Sequence, residues 1–179
     1  MFILIWNPEG LKLSVVRGDL RVVFTLNRRY VYVTGVGHGT DTTYMGEHCD
    51  PIFDIGNSQS EELRNKVVHF FACQTAAKLG AASVNHGCLA YFGYDKDFIV
   101  SMHVSDVFFD CDSEIDRAFA DGLTAEEVYD RVIAHYDEKI DELEGGGHDE
   151  AAAALIYNRD HLCAPSVDPK WGNKKARII

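Results

Sequence analysis

The most constraining feature of the chain is one short stretch. Val67-Val68-His69-Phe70-Phe71-Ala72 is apolar on successive positions, which suits a central strand covered on both faces. It runs into Cys73-Gln74-Thr75, and then into Ala76 through Asn85, a helix of small residues closed by Gly87. Cys88 to Gly93 reads as a further strand. Strand, helix, strand in that order marks a parallel sheet with crossover helices, so the fold class is α/β, with a mostly parallel sheet flanked by helices.

The chain before this unit reads as strands. Phe2 to Trp6 is an apolar run and Leu11 to Val16 alternates with period two. Gly18-Asp19 supplies a turn, Leu20 to Leu26 forms another run, and Tyr30 to Val33 leads into a glycine-rich loop, Gly35 to Thr40. A polar, turn-rich stretch extends through Asn57, and Ser60 can cap a short helix over Glu61 to Asn65. After Val100 the period becomes helical. Phe108, Cys111, Ile115, Ala118 and Phe119 share a stripe ended by Gly122. Thr124 with Glu127 forms a capping box for a helix with Val128, Val132, Tyr136, Ile140 and Leu143 on one side. Gly145-Gly146-Gly147 ends it, Ala151 to Ile156 is a last short helix or strand, and Pro165 and Pro169 punctuate a basic tail. No repeat or linker divides the 179 residues, so one domain is expected: a core over about 20–100, a helical part over 104–156 and an irregular tail over 157–179.

Composition narrows the function classes. The net charge of -11 argues against nucleic acid as a partner. Residues 101 to 150 alone carry a balance of -13, against -1 for residues 1 to 100 and +3 for the remainder. That acidity reads as solvated helix faces rather than as a site. No apolar run approaches the length that spans a bilayer, and Met1 to Pro8 is too short and lacks the basic start of a signal peptide. Cys49, Cys73, Cys88, Cys111 and Cys163 are odd in number and irregular in spacing, which points to reduced thiols and a cytoplasmic location. His48-Cys49-Asp50 has metal-ligand types, with His69, His86, His103 and Cys88 elsewhere. The paired short spacings of structural zinc are missing, so neither a metal nor another cofactor is expected. Gly35-x-Gly37 starts like a dinucleotide fingerprint but has Thr40 at the third glycine position.

Two residues stand where α/β sheets place chemistry. His38 follows a β-run among glycines, which permit positive φ and close approach to the backbone. Cys73 sits at a strand-to-helix junction, where free N–H groups and the helix dipole favour a thiolate. A nearby histidine is the usual base for such a nucleophile. The amides of Gly39 and Cys73 would be the donors of an oxyanion hole. His69, on the apolar strand, reads as a satisfied core residue. Asp41 and Glu47 are candidates to orient His38.

Tyr32 to Gly39, with its His-Gly end, followed by Val67 to Thr75, with its Ala-Cys, resembles the motif pair of caspase-like cysteine peptidases. That superfamily spans caspases, metacaspases, gingipains, clostripain, legumain, separase and bacterial CHAT domains, and Ala-Cys-Gln-Thr is most similar to the last. Gly87 to Tyr94 resembles the strand that lines the S1 pocket there, with a weaker echo at Tyr157-Asn158-Arg159-Asp160. The resemblance implies a cysteine endopeptidase with a His38/Cys73 dyad, an acyl-enzyme intermediate and a polypeptide substrate. It covers about residues 20–100 and leaves any activator or partner protein open. Members that cut after Arg or Lys carry Asp two residues before the nucleophile, where this chain has Phe71. Tyr94, Asp95 and Asp97 join Phe71 as S1 candidates, and Arg28, Arg29 or Lys96 would suit an acidic side chain instead. A catalytically silent regulatory module and another thiol hydrolase, an amidase or acyltransferase, are the rival readings.

Overall fold

A computed structural model describes residues 3–7, 10–12, 31–46, 49–56 and 62–178. The expected Gly18-Asp19 turn, the Leu20 to Leu26 run, Arg28, Arg29, Glu47, His48 and the Ser60 cap lie outside the described residues.

The architecture is α/β around a mixed sheet. In chain order the strands are β1 (Ile3–Asn7), β2 (Gly10–Lys12), β3 (Tyr32–Val36), β4 (His38–Gly39), β5 (Thr43–Met45), β6 (Pro51–Asp54), β7 (Val67–Phe71), β8 (Ala90–Tyr94) and β9 (Leu162–Cys163). The main sheet has the order β2-β1-β3-β7-β8-β9. Its centre is parallel, β3 beside β7 and β7 beside β8. The flanking ladders, β1 with β2, β1 with β3 and β8 with β9, are antiparallel. Four of the six strands therefore point one way, and antiparallel pairing is confined to the two sides.

Alternation along β7 explains why both faces of the sheet are covered. Val67 and Phe71 join one core with Tyr32, Phe92 and Tyr94. Over that face lie α2 (Ser105–Ala120), α3 (Ala125–Gly145) and α4 (Asp149–Asp160). Val68, Phe70 and Ala72 point the other way, into a core with Tyr44, Phe53, Leu79 and Trp171.

The helices follow their sequence signals. Thr124 caps α3 by accepting from the Glu127 amide while the Glu127 carboxylate accepts from the Thr124 amide. The stripe Val128, Val132, Tyr136, Ile140 and Leu143 is buried. Gly122, at φ 82°, closes the turn after α2. The last of these helices reaches Asp160, beyond the expected Ile156.

Three expectations need correction. The glycine-rich stretch is not a loop: Gly35 and Val36 finish β3, and His38-Gly39 forms β4 of a second, antiparallel sheet, β4-β5-β6. That sheet replaces most of the expected turn-rich stretch, and its Tyr44 and Phe53 stack on Phe70. Its glycines are also needed for close packing rather than positive φ. A Cβ at Gly37 would collide with the Met45 carbonyl oxygen, and the positive-φ glycines among the described residues are Gly87, Gly122, Gly147 and Gly172.

The helix after Cys73 divides. Ala76–Gly80 is a π turn, with the Gly80 amide bonded to the Thr75 carbonyl at 2.9 Å, and α1 (Ala81–Asn85) follows. Tyr91 fills the space a side chain at 80 would need, 2.7 Å from such a Cβ.

The tail, irregular between its short elements, is anchored to the rest of the fold. β9 pairs with β8, and the Trp171 indole donates to the Ala76 carbonyl at 2.8 Å, so the tail holds the start of the π turn. Lys174 and Lys175 both pair with Glu126 at 2.7 Å, joining the basic tail to the acidic helical part. Among the described residues no helix is long and apolar enough to cross a membrane.

Candidate functional site

β3 and β7 run side by side, with Val36 paired to Phe71, so both motifs come off the same edge of the sheet. β3 continues through Gly37, whose amide donates to the Phe71 carbonyl at 3.2 Å. The next two residues are His38 and Gly39. Gly39 lies flat against the turn after β7: a Cβ there would run into the Cys73 carbonyl oxygen and stand 2.6 Å from the Thr75 methyl group. Only a residue without a side chain lets the His-Gly strand approach the Cys73 turn this closely. His38 is exposed beside that contact, and no carboxylate among the described residues is bonded to its ring. Asp41 is committed elsewhere, paired to Lys78 at 2.6 Å.

The Cys73 turn itself is held in an unusual backbone conformation. Gln74 has φ 61°, the left-handed region that costs a residue with a side chain about 1–3 kcal/mol and recurs at functional turns. Three contacts tie this turn to the segment leaving β8. The Gln74 amide donates to the Lys96 carbonyl at 3.0 Å, the Gln74 side-chain amide donates to Asp97 at 2.7 Å, and the Phe98 amide donates to the Cys73 sulfur at 3.4 Å.

Asn158, the middle of the expected echo in the last third, fixes that segment. It is buried, accepts from the Ile99 amide at 2.9 Å and donates to the Ile99 carbonyl at 2.7 Å. A single side chain thus satisfies both main-chain groups next to Phe98, as a neighbouring strand would.

The remaining S1 candidates fall in different places. Phe71 is buried at the end of β7, edge-on to Phe98 at 4.6 Å and to Phe109 at 5.6 Å. Tyr94 is 1% exposed and stands behind Phe98, with its hydroxyl donating to Asp112 at 2.9 Å. Asp95 pairs with His161 at 2.9 Å, and Asp97 receives the Gln74 bond.

The thiols divide clearly. Burial pushes Cys88, Cys111 and Cys163 each up to about 12. Cys73, half-buried, and Cys49, exposed, are the accessible pair among five free cysteines. Among the described residues no three His, Cys, Asp or Glu side chains converge on a point that would hold a metal ion.

A second titratable cluster lies under the helices, away from Cys73. His69 is buried on β7 between two carboxylates of α2, bonded to Asp116 at 2.9 Å and Asp112 at 3.2 Å. Burial alone would lower its pKa, but the two aspartates outweigh that and raise it to about 10. Burial likewise works against an ionised Asp116, yet the His69 charge and the His69 and Tyr32 hydrogen bonds hold it below 3.8. Tyr94 and Tyr136 extend the network, 2.8 Å apart. His69 is therefore a satisfied core residue, as the apolar strand suggested, and a charged one. Its partners Asp112 and Asp116 stand one turn apart on α2, a spacing that was visible in the sequence but carried no pointer to β7.

Compared with known proteins, the chain matches no family model, no curated protein and no solved structure.

Proposed function

We propose that the protein is a caspase-like cysteine endopeptidase, nearest in motif to CHAT domains, acting through His38 and Cys73. The observation that carries this reading is the contact of Gly39 with the Cys73 turn, which seats the His-Gly strand directly on the Ala-Cys turn. The left-handed Gln74 and the Phe98 amide on sulfur support it, since both belong to a turn shaped around the thiol.

In this reading the Cys73 thiol gives its proton to the His38 imidazole and the sulfur attacks the carbonyl carbon of the scissile peptide bond. Charge gathers on the carbonyl oxygen, facing the amides of Gly39 and Cys73. As the tetrahedral adduct collapses, the carbon–nitrogen bond breaks and His38 returns the proton to the leaving amine. An acyl-thioester remains on Cys73. Water, giving its proton to His38, then attacks that carbonyl, and the carbon–sulfur bond breaks to release the acid and the thiol.

The test is incubation with a proteome-derived peptide mixture and mass-spectrometric reading of the new termini. New peptide termini that vanish in Cys73→Ala and fall at least about 100-fold in His38→Ala match the contribution expected of a general base. Cys73-dependent hydrolysis or transfer on amides or esters, with peptides left whole, would assign a different thiol hydrolase. No Cys73-dependent product of any kind would leave a regulatory module.

A further inference from the structure

The residue on the acyl side of the scissile bond meets whatever stands beside the Cys73 sulfur, and here that is an aromatic wall. Phe98 touches the sulfur through its amide at 3.4 Å and turns its ring edge-on to Phe71 at 4.6 Å. Phe109, reaching from α2, packs edge-on to the same Phe71 ring at 5.6 Å while remaining 45% exposed. Val36, the register partner of Phe71 on β3, is 47% exposed, and paired residues project to the same face. Phe71, Phe98, Phe109 and Val36 therefore form one continuous apolar surface that starts at the sulfur and opens to solvent. An exposed apolar patch of this kind, next to a reactive group, marks a binding surface.

The two acids expected at the site lie off the wall itself. Asp95 is turned to His161 at 2.9 Å, and Asp97, exposed, accepts from the Gln74 side-chain amide at 2.7 Å. Phe71 is closed in by three other aromatic rings. A charged side chain pressed against those rings would lose its hydration, which is costly.

We infer that the site selects an apolar, preferably aromatic, residue on the acyl side of the cleaved bond, and that Phe98, Phe71, Phe109 and Val36 form the subsite. This rests on the peptidase reading of Cys73 and His38 and adds the substrate class.

The experiment measures Cys73 labelling by tripeptidyl chloromethyl ketones ending in Phe, Leu, Arg or Asp, each relative to iodoacetamide, which has no side chain to recognise. The Phe and Leu compounds are expected to react at least about tenfold faster than the Arg and Asp compounds, the lower end of what an apolar subsite discriminates. Phe109→Asp, at a position 45% exposed, is expected to erase that advantage once each rate is divided by the variant's own iodoacetamide rate. Equal rates for the four compounds, or faster labelling by Arg or Asp, would overturn the subsite and leave the peptidase reading standing. An advantage that survives Phe109→Asp would overturn the assignment of the wall. If iodoacetamide and every ketone label Cys73 no faster than Cys49, the peptidase reading fails and the subsite with it.

Discussion

At the scale of single residues, the charged cluster around His69 is structural. A buried imidazolium between Asp112 and Asp116 bolts the central strand β7 to α2. Truncating it leaves buried Asp112 and half-buried Asp116 without the charge between them, so His69→Ala is expected to cost about 3–5 kcal/mol in urea unfolding. The pH dependence has a definite sign. The folded pKa of about 10 lies above the ordinary 6.5, so this contribution is complete below pH 6.5 and disappears as the pH rises towards 10. Asp116 works at the other end, its share being present above its ordinary 3.8 and lost on acidification below that. Wild-type stability minus that of His69→Gln should therefore shrink between pH 6.5 and 10. A difference that is flat across that range would show that the ring is neutral in the folded protein.

At the scale of elements, the segment between β8 and α2 does most to shape the site, and Asn158 on α4 holds it. Asn158→Ala removes two hydrogen bonds to the main chain of Ile99, at about 0.5–1.5 kcal/mol each. Through Ile99 it also loosens the Phe98 amide on the Cys73 sulfur. The iodoacetamide rate at Cys73 should therefore fall in Asn158→Ala, with that at exposed Cys49 unchanged. An unmoved Cys73 rate in a folded variant would make Asn158 a packing residue only. Much at this scale was legible in the sequence. The β7–helix–β8 unit, the capping box at Thr124 and the stripe of α3 each rest on local patterns that tertiary contacts reinforced. The small sheet was hidden because its strands are two to four residues long and interrupted by Gly, Asp and Pro. Tyr44 and Phe53 were the signal that was available, two buried aromatics in otherwise polar chain. β9 and the Trp171 contact were hidden for another reason: both are made with residues about 70 and 95 positions upstream, which no local pattern encodes.

At the scale of the whole molecule, charge and candidate chemistry are separated. The acidic helices cover one face of the sheet and the basic tail pairs back onto them, while the His-Gly strand and the Cys73 turn meet at the sheet's edge. The motif positions were readable because each sits at the end of a strand. The wall beside them was not, because Phe109 and Asn158 come from helices that only folding brings there. Five free thiols then provide an internal comparison: three with pKa values raised to about 12 by burial, the exposed Cys49, and half-buried Cys73. The most direct measurement is the rate of iodoacetamide labelling at each cysteine at pH 7, read by mass spectrometry, in wild type and His38→Ala. Cys73 is expected to outpace Cys49 by at least about tenfold, as an activated thiolate does, the other three to stay unlabelled, and His38→Ala to remove the difference. Equal rates at Cys73 and Cys49, or a fast Cys73 indifferent to His38, would rule out the dyad.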